Sequence, residues 1–556
     1  MTSQHGAMWR EHCKVIAMFS FYMFSITTAV LVILNDLKSD VAEAFSYFAV
    51  LVWSLLTRTQ AHFNNEFPIS TELTAVVVLS LLGSVAVSVA LVWWFRIRNF
   101  DNSPNTHLAG PVLLKYKNAE KHFAKKTKFD RKKGLRMHQK IWLPMSYELG
   151  NILIWGMQGS GKSNLIKWLI SQLISRLDRV VIYDIKGEYT ELFLDENSLL
   201  LSPKDERSVH WCLGMDITNI GLAEVFAEAV ISSSSISDSF WTDSARLVVI
   251  GVIAGLIKEK EDWSWAELAK RLFSEDKELA YFLQKHHPQA ATLIQADDKT
   301  TASIRAVVAA QLAWIKTIDQ SSGATFSVQK WLSSKEEKTL IIQGDLTAPL
   351  MSSALITALM AVLSSYVLSG PDVTNNDIWL VIDELSTLNK SKSLERWLAL
   401  GRSKGCRAIA GVQLLSQLDS IYGKDDANTV LGLFNIVVTF KLAPTGDSAE
   451  KASKGMGQRR VEYRTKSTNE KGEASYSLHQ EHIPVVSAEN IVHLPPPSFK
   501  YGIEGFLFIG GVDAVYQLHW PITQLQKIAD AVVKKKAPIV PATPNKANRL
   551  NRRSTE

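Results

Sequence analysis

The sequence predicts an α/β fold: a largely parallel sheet covered on both faces, set behind a two-helix membrane anchor. Three observations lead there. The octapeptide GMQGSGKS (156–163) follows the apolar run ILIW and opens the helical pattern NLIKWLISQLI. The segment IWLVIDE (378–384) is an apolar strand that ends in two carboxylates. Two uncharged apolar runs, 15–34 and 73–95, precede both. A chain of 556 residues is too long for one simple core, so two or three units are expected.

The anchor comes first. VIAMFSFYMFSITTAVLVIL and LTAVVVLSLLGSVAVSVALVWWF each reach the ~20 apolar residues that cross a bilayer core. Trp93 and Trp94 close the second run, where an interfacial aromatic belt would sit. A cleaved signal peptide is the bland reading of the first run. It lacks a small-residue cleavage site, is too long, and is followed by a second span. Arg10, Lys14, Arg96 and Arg98 flank the pair. The loop between holds Lys38 and Arg58 against Asp36, Asp40, Glu43, Glu66 and Glu72. By the positive-inside rule both termini face the cytoplasm. FSYFAVLVWSLL (45–56) is too short to span unless Val41 to Ala44, with Glu43, join it; it reads as an interfacial or partner-binding helix, a third span that puts the termini on opposite sides being the alternative.

Charge is the next element. The net charge is only +6, but residues 115–140 carry eleven Lys or Arg against Glu120 and Asp130. Anionic membrane lipids, DNA phosphates, or no partner at all (a solvated linker) each fit such a stretch. Lys534, Lys535, Lys536, Lys546, Arg549, Arg552 and Arg553 repeat the theme in a Pro- and Asn-rich tail that reads as disordered. Cys13, Cys212 and Cys406 stand far apart with no CxxC, which argues against a disulfide framework or thiolate zinc site and fits a reducing cytoplasm.

The glycine loop carries the chemistry. GMQGSGKS matches GxxxxGK[ST] between a strand and a helix. Gly156, Gly159, Ser160 and Gly161 let backbone N–H groups turn toward phosphate. Lys162 supplies charge to the outer phosphates, Ser163 a hydroxyl for Mg²⁺, and the helix its N-terminal dipole. Asp383 is placed to hold Mg²⁺ through water, and Glu384 to orient or deprotonate an attacking water. ATP and Mg²⁺ are therefore the expected cofactors. RVVIYD (179–184), KTLIIQG (338–344), CRAIAGVQ (406–413) and NIVVTFKL (435–442) read as further strands, their near-continuous apolar runs suiting a parallel sheet. Gln413 ends one of them, either as a γ-phosphate sensor or as an ordinary strand-end polar residue.

Several segments together resemble one family. They are GMQGSGKS, YDIKGEYTELF (183–193), LSPKDERSVHW (201–211), FWTDSAR (240–246), KTTASIRAVV (299–308), VIDELSTLNK (381–390) and GRSKGCRAIAGVQLLSQLDSIYG (401–423). In order and spacing they are similar to the type IV secretion coupling proteins, the TraD group of conjugative ATPases. The resemblance covers the anchor and nearly all of 140–515. It implies a RecA-like P-loop domain (149–216 and 323–530) interrupted by an all-α domain (217–322). Around these would lie the anchor (1–98), a basic juxtamembrane linker leading into the nucleotide-binding domain (99–148), and the basic tail (531–556). The insert accounts for the 221 positions between Lys162 and Asp383. Its apolar runs, such as 245–257 and 302–315, read as too short to cross a bilayer.

The resemblance further implies a homo-hexamer on the inner membrane that hydrolyses ATP. Such a ring would receive relaxase-linked single-stranded DNA from relaxosome proteins and feed it to type IV secretion channel components. Arg402 would enter the neighbouring subunit's site as an arginine finger, with a surface salt bridge as the alternative; Gln413 would be the sensor. Asp184, Lys186 and Glu188 match the group without a chemical account of their own. The group often carries a long acidic C-terminal extension. The short basic end here does not match it, so docking through such a tail is not expected. Residues 445–480, polar and charged, read as a flexible loop. Two other motors fit less well: a double-stranded-DNA translocase of the FtsK kind typically has more spans and a winged-helix reader, and an ABC subunit would need LSGGQ where this chain has LSGPD. A platform stabilised by nucleotide without hydrolysis is the non-enzymatic alternative.

Overall fold

The computed structural model describes residues 105–128, 133–232, 239–260, 262–294, 299–318, 324–336, 338–345, 347–371, 378–468 and 474–534. The expected spans, 15–34 and 73–95, lie outside them, as does the tail from 535.

Ten strands form the main sheet. In chain order they are β1 (Val112–Lys115), β2 (Asn151–Trp155), β3 (Arg179–Asp184), β4 (Ser198–Leu201), β5 (Thr339–Gln343), β6 (Ile378–Ile382), β7 (Cys406–Val412), β8 (Phe434–Thr439), β9 (Ile503–Ile509) and β10 (Ala514–Trp520). Their spatial order is β1-β10-β9-β8-β2-β7-β6-β3-β5-β4. From β8 to β4 every pairing is parallel; β9 runs antiparallel to both neighbours. The near-continuous apolar runs have a simple cause. On β3, Val181 and Tyr183 enter one core while Val180 and Ile182 enter the other. Side chains alternate across a strand, so a strand covered on both faces must be apolar throughout. The register sets the site: β7 lies between β2 and β6, so the glycine loop after β2 and the carboxylates after β6 open on the same edge.

Between the paired strands His210–Trp211 and Thr325–Phe326 the described residues are almost entirely helical. The main helices there are α3 (Ile220–Val230), α4 (Ser239–Glu259), α5 (Trp265–Leu272), α6 (Asp276–His286) and α7 (Lys299–Leu312). The preceding helices are α1 (Tyr116–Lys126) and α2 (Lys162–Ser175). A buried carboxylate closes the neck of the insertion. Asp216 accepts from Trp211 Nε1 (2.8 Å), Ser327 Oγ (2.6 Å) and the Val328 amide (2.8 Å), joining the segments where the chain leaves and returns. Ser264 starts α5 with a reciprocal capping box to Glu267. Helix α4 corrects the expectation that the insert's apolar segments are too short to cross a bilayer. It has 21 residues and is long and apolar enough by composition. So is α8 (Pro349–Ser369). Both put most of their apolar window inside the protein: Val248, Val249, Val252 and Ile253 of α4, and Ile356, Leu359, Val362 and Leu363 of α8, join one core.

Three stretches are more ordered than their composition suggests. The basic linker contributes β1, which pairs with β10, and α1, which buries Ala119 and Phe123. Periodic apolar positions were present there, but the density of lysine masked them. Residues 445–480, expected as a flexible loop, contain a helix (Ser448–Gly455) and most of two long strands (Gln458–Thr468 and Ala474–Pro484). Residues 462–479 belong to a separate compact unit, in which the Tyr463 ring stacks on His479 at 5.5 Å. A mostly polar strand gives little period-2 signal, which hid these strands. Finally, the first residues of the tail are held. The Val533 amide donates to Asp205 Oδ2 (3.0 Å), and Val533 O accepts from the Glu206 amide (2.8 Å).

Candidate nucleotide site

The glycine loop, 156–161, turns from β2 into α2. Gly159 and Gly161 take left-handed φ of +73° and +104°. At Gly161 a Cβ would also lie 2.7 Å from the Ile503 side chain, so the turn needs glycine twice over. Lys162 is the first residue of α2. It is buried, and its Nζ donates to Gly156 O at 2.7 Å. Burial lowers its pKa, while Glu384 and Asp383 work in the opposite direction. Ser163 Oγ donates to Asp383 Oδ1 at 3.1 Å. Two strand ends separated by one strand thus bring the serine and the aspartate into contact.

Glu384 follows directly. Its Oε1 accepts from Ser386 Oγ (2.8 Å), and its Oε2 is buried without a partner among the described residues. Burial raises its pKa, so this carboxyl gains a proton more readily than a free glutamate. Ser160 Oγ is a second buried oxygen without a described partner. Gln413 follows the last residue of β7, between the two loops. With Lys186, Tyr189, Asp383, Glu384 and Thr387 it lines a cavity of about 160 Å³. The fit to a nucleoside triphosphate with Mg²⁺ is good on these grounds. A helix N-terminus and a buried lysine suit phosphate, and the hard oxygens of Ser163 and Asp383 suit Mg²⁺, which needs few protein ligands when phosphates supply others.

Asp184, which the sequence left without a chemical account, is structural. It is 1% exposed and accepts from the amides of Gly187 (2.8 Å), Tyr189 (2.9 Å) and Thr190 (2.7 Å) and from Thr190 Oγ1 (2.8 Å). The loop it organises presents Lys186 and Glu188 to the pocket; Glu188 pairs with Lys167 at 2.8 Å. Sequence reasoning missed two other positions. Tyr189 reaches the cavity from the same loop. Gly411 lets β7 pass under Asp383, where a Cβ would come within 2.0 Å of the Asp383 carbonyl oxygen. The only hint of either was membership in an otherwise apolar or glycine-marked segment.

Arg402 is not brought to this pocket. It is exposed on the short 3₁₀ turn Gly401–Lys404, before the first residue of β7, whereas Gln413 follows the last.

Comparison with known proteins agrees with this architecture. Coupling protein TraD of Escherichia coli (strain K12) is 26% identical over 319 residues, 56% of this chain and 44% of that protein. The match therefore spans less than half the length of that relative. Among solved structures, the bacterial conjugative coupling protein TrwBdeltaN70 superposes with a TM-score of 0.68 at 25% identity, covering 77% of this chain and 96% of that one. Plasmid coupling protein TrwB in complex with ADP and Mg²⁺ gives 0.65 at 25% identity, covering 77% and 98%. Residues 135–506 match the type IV secretion-system coupling protein DNA-binding domain, and the chain belongs to that family.

Proposed function

We propose that this chain is a DNA-stimulated, ATP-hydrolysing coupling protein of conjugation. The observation that carries the proposal is the contact of Ser163 Oγ with Asp383 at 3.1 Å beside a buried Lys162. That TrwB has been seen with ADP and Mg²⁺ supports the same ligands here. Lys162 would hold the outer phosphates, and Ser163 and Asp383 would hold Mg²⁺, which when bound neutralises charge on the phosphates. Glu384, ionised, would accept the proton of the attacking water, and Gln413 would contact the γ-phosphate from the neighbouring strand. Arg402, remote from its own pocket, would complete the site of the next subunit in a homo-hexamer.

The remaining assignments follow from family membership and from charge. The ring would sit on the inner membrane through two spans, with both termini in the cytoplasm. It would pass relaxase-linked single-stranded DNA from relaxosome proteins to type IV secretion channel components. Lys115, Lys117, Lys121, Lys125, Lys126 and Lys128 are all exposed, and α1 carries most of them. Placed just after a span, they would meet anionic lipid headgroups.

The test is phosphate release by the full chain in lipid, with and without single-stranded DNA. Wild type is expected to release phosphate faster with DNA, and Glu384→Gln to fall by at least ~100-fold, at the lower end of general-base effects. Equal, DNA-independent release by both would favour the nucleotide-stabilised platform.

A further inference from the structure

One hydroxyl in the cavity has no task in the mechanism above. Tyr189 is 2% exposed, and its Oη makes no hydrogen bond to a described residue. Buried hydroxyls nearly always have a partner in native proteins. The side chain is firmly held. Its amide donates to Asp184 Oδ2 at 2.9 Å, and its ring belongs to the core that contains Leu165, Ile166 and Val381. The ammonium of Lys167 lies 5.9 Å from the ring centroid. Tyr189 lines the cavity together with Asp383 and Glu384, and Asp383 in turn accepts from Ser163 Oγ.

That neighbourhood suggests how the hydroxyl is used. Ser163 gives its hydrogen to Asp383. A serine can ligate Mg²⁺ through an oxygen lone pair and keep its hydrogen on Asp383, and an ionised carboxylate with about four acceptor sites still has room for a second donor. Tyr189 stands beside it with a free hydrogen. We infer that Tyr189 is a positioning residue for the metal site, donating to Asp383 and fixing that carboxylate toward a Mg²⁺ shared with Ser163. The inference rests on the nucleotide-binding reading above. Groups that orient metal ligands typically change metal affinity by 10–100-fold when removed.

Tyr189→Phe tests it with little change of shape. The full chain in detergent is titrated with a fluorescent ADP analogue at fixed low concentration, first in EDTA and then across a Mg²⁺ series. The Mg²⁺ concentration giving half of the added binding is expected to rise about tenfold in the variant. Affinity in EDTA and the thermal midpoint should match wild type, because neither depends on the Asp383 orientation. An unchanged Mg²⁺ half-point overturns the inference, as does an equal loss of binding with and without Mg²⁺, which would mean the ring only packs. A wild type that binds no nucleotide is a distinct result: it overturns the functional reading and this inference together.

Discussion

The two ends of β7 differ sharply. At the pocket end, Gly411 passes Asp383 with no room for a Cβ, and Gln413 lines the cavity beside Asp383 and Glu384. At the other end, Arg402 stands exposed. Seven residues of strand separate them, about 23 Å at ~3.3 Å per residue. An arginine side chain cannot cover that distance. Two candidate catalytic groups thus flank one strand too far apart to serve the same nucleotide, and the proposed role of Arg402 would tie hydrolysis to assembly.

Arg402→Ala should lower turnover by ~10³-fold or more, the range for a missing arginine finger, while nucleotide affinity stays unchanged. Mixing is the sharper measurement. A subunit with Arg402→Ala keeps its own pocket, and one with Lys162→Ala keeps its finger. Mixed rings should regain part of the turnover that each variant lacks alone. Loss of nucleotide binding in Arg402→Ala, or no recovery on mixing, would place the residue in its own subunit's site or in the fold.

An intermediate effect is expected at the packed end. Gly411→Ala forces a Cβ toward the Asp383 carbonyl, whereas Gly432, the last residue of the helix Lys424–Gly432, has nothing within 4 Å. Overpacking of this kind costs about 1–3 kcal/mol. Chemical denaturation should show that loss for Gly411→Ala and none for Gly432→Ala. Equal behaviour of the two would mean that β7 can shift away from the carboxylate loop.

What could be read from sequence follows the same division. ILIW, RVVIYD, KTLIIQG, IWLVIDE and CRAIAGVQ gave strands within a residue or two, because a strand buried on both faces must be apolar at every position. Lys162, Ser163 and Asp383 were singled out because phosphate and Mg²⁺ chemistry restricts which residues can stand there, and the fold brings Ser163 and Asp383 into contact. Tyr189 was not, since a tyrosine in YDIKGEYTELF is equally at home in a core, and only the fold brings its hydroxyl beside Asp383. Gly411 was hidden for a related reason. Its need for glycine comes from a neighbour 28 positions away, across a strand pairing that no local pattern announces. The strands Gln458–Thr468 and Ala474–Pro484 were missed because polar and charged stretches look like loop.

The two ends also differ in how they respond to pH. Glu384 is mostly buried, and burial raises its pKa above the ordinary 4.5. The charged form is therefore disfavoured in the folded protein. For a carboxyl shifted this way, ionisation weakens folding: nothing is lost below the unfolded pKa, and the loss grows as pH rises through the folded one. Glu384→Gln removes the charge and keeps the shape. Its thermal midpoint should exceed that of wild type near neutral pH, and the gap should close toward about pH 4.5. Turnover runs the other way, since wild-type activity needs the ionised carboxylate and should rise with pH through the same raised value. Arg402→Gln, at the exposed end, should show no stability gap at any pH. A gap of equal size at both ends would mean that net charge, not burial in the pocket, governs stability here; no gap at Glu384 would mean that the Ser386 hydroxyl and the Lys162 ammonium fully offset its burial.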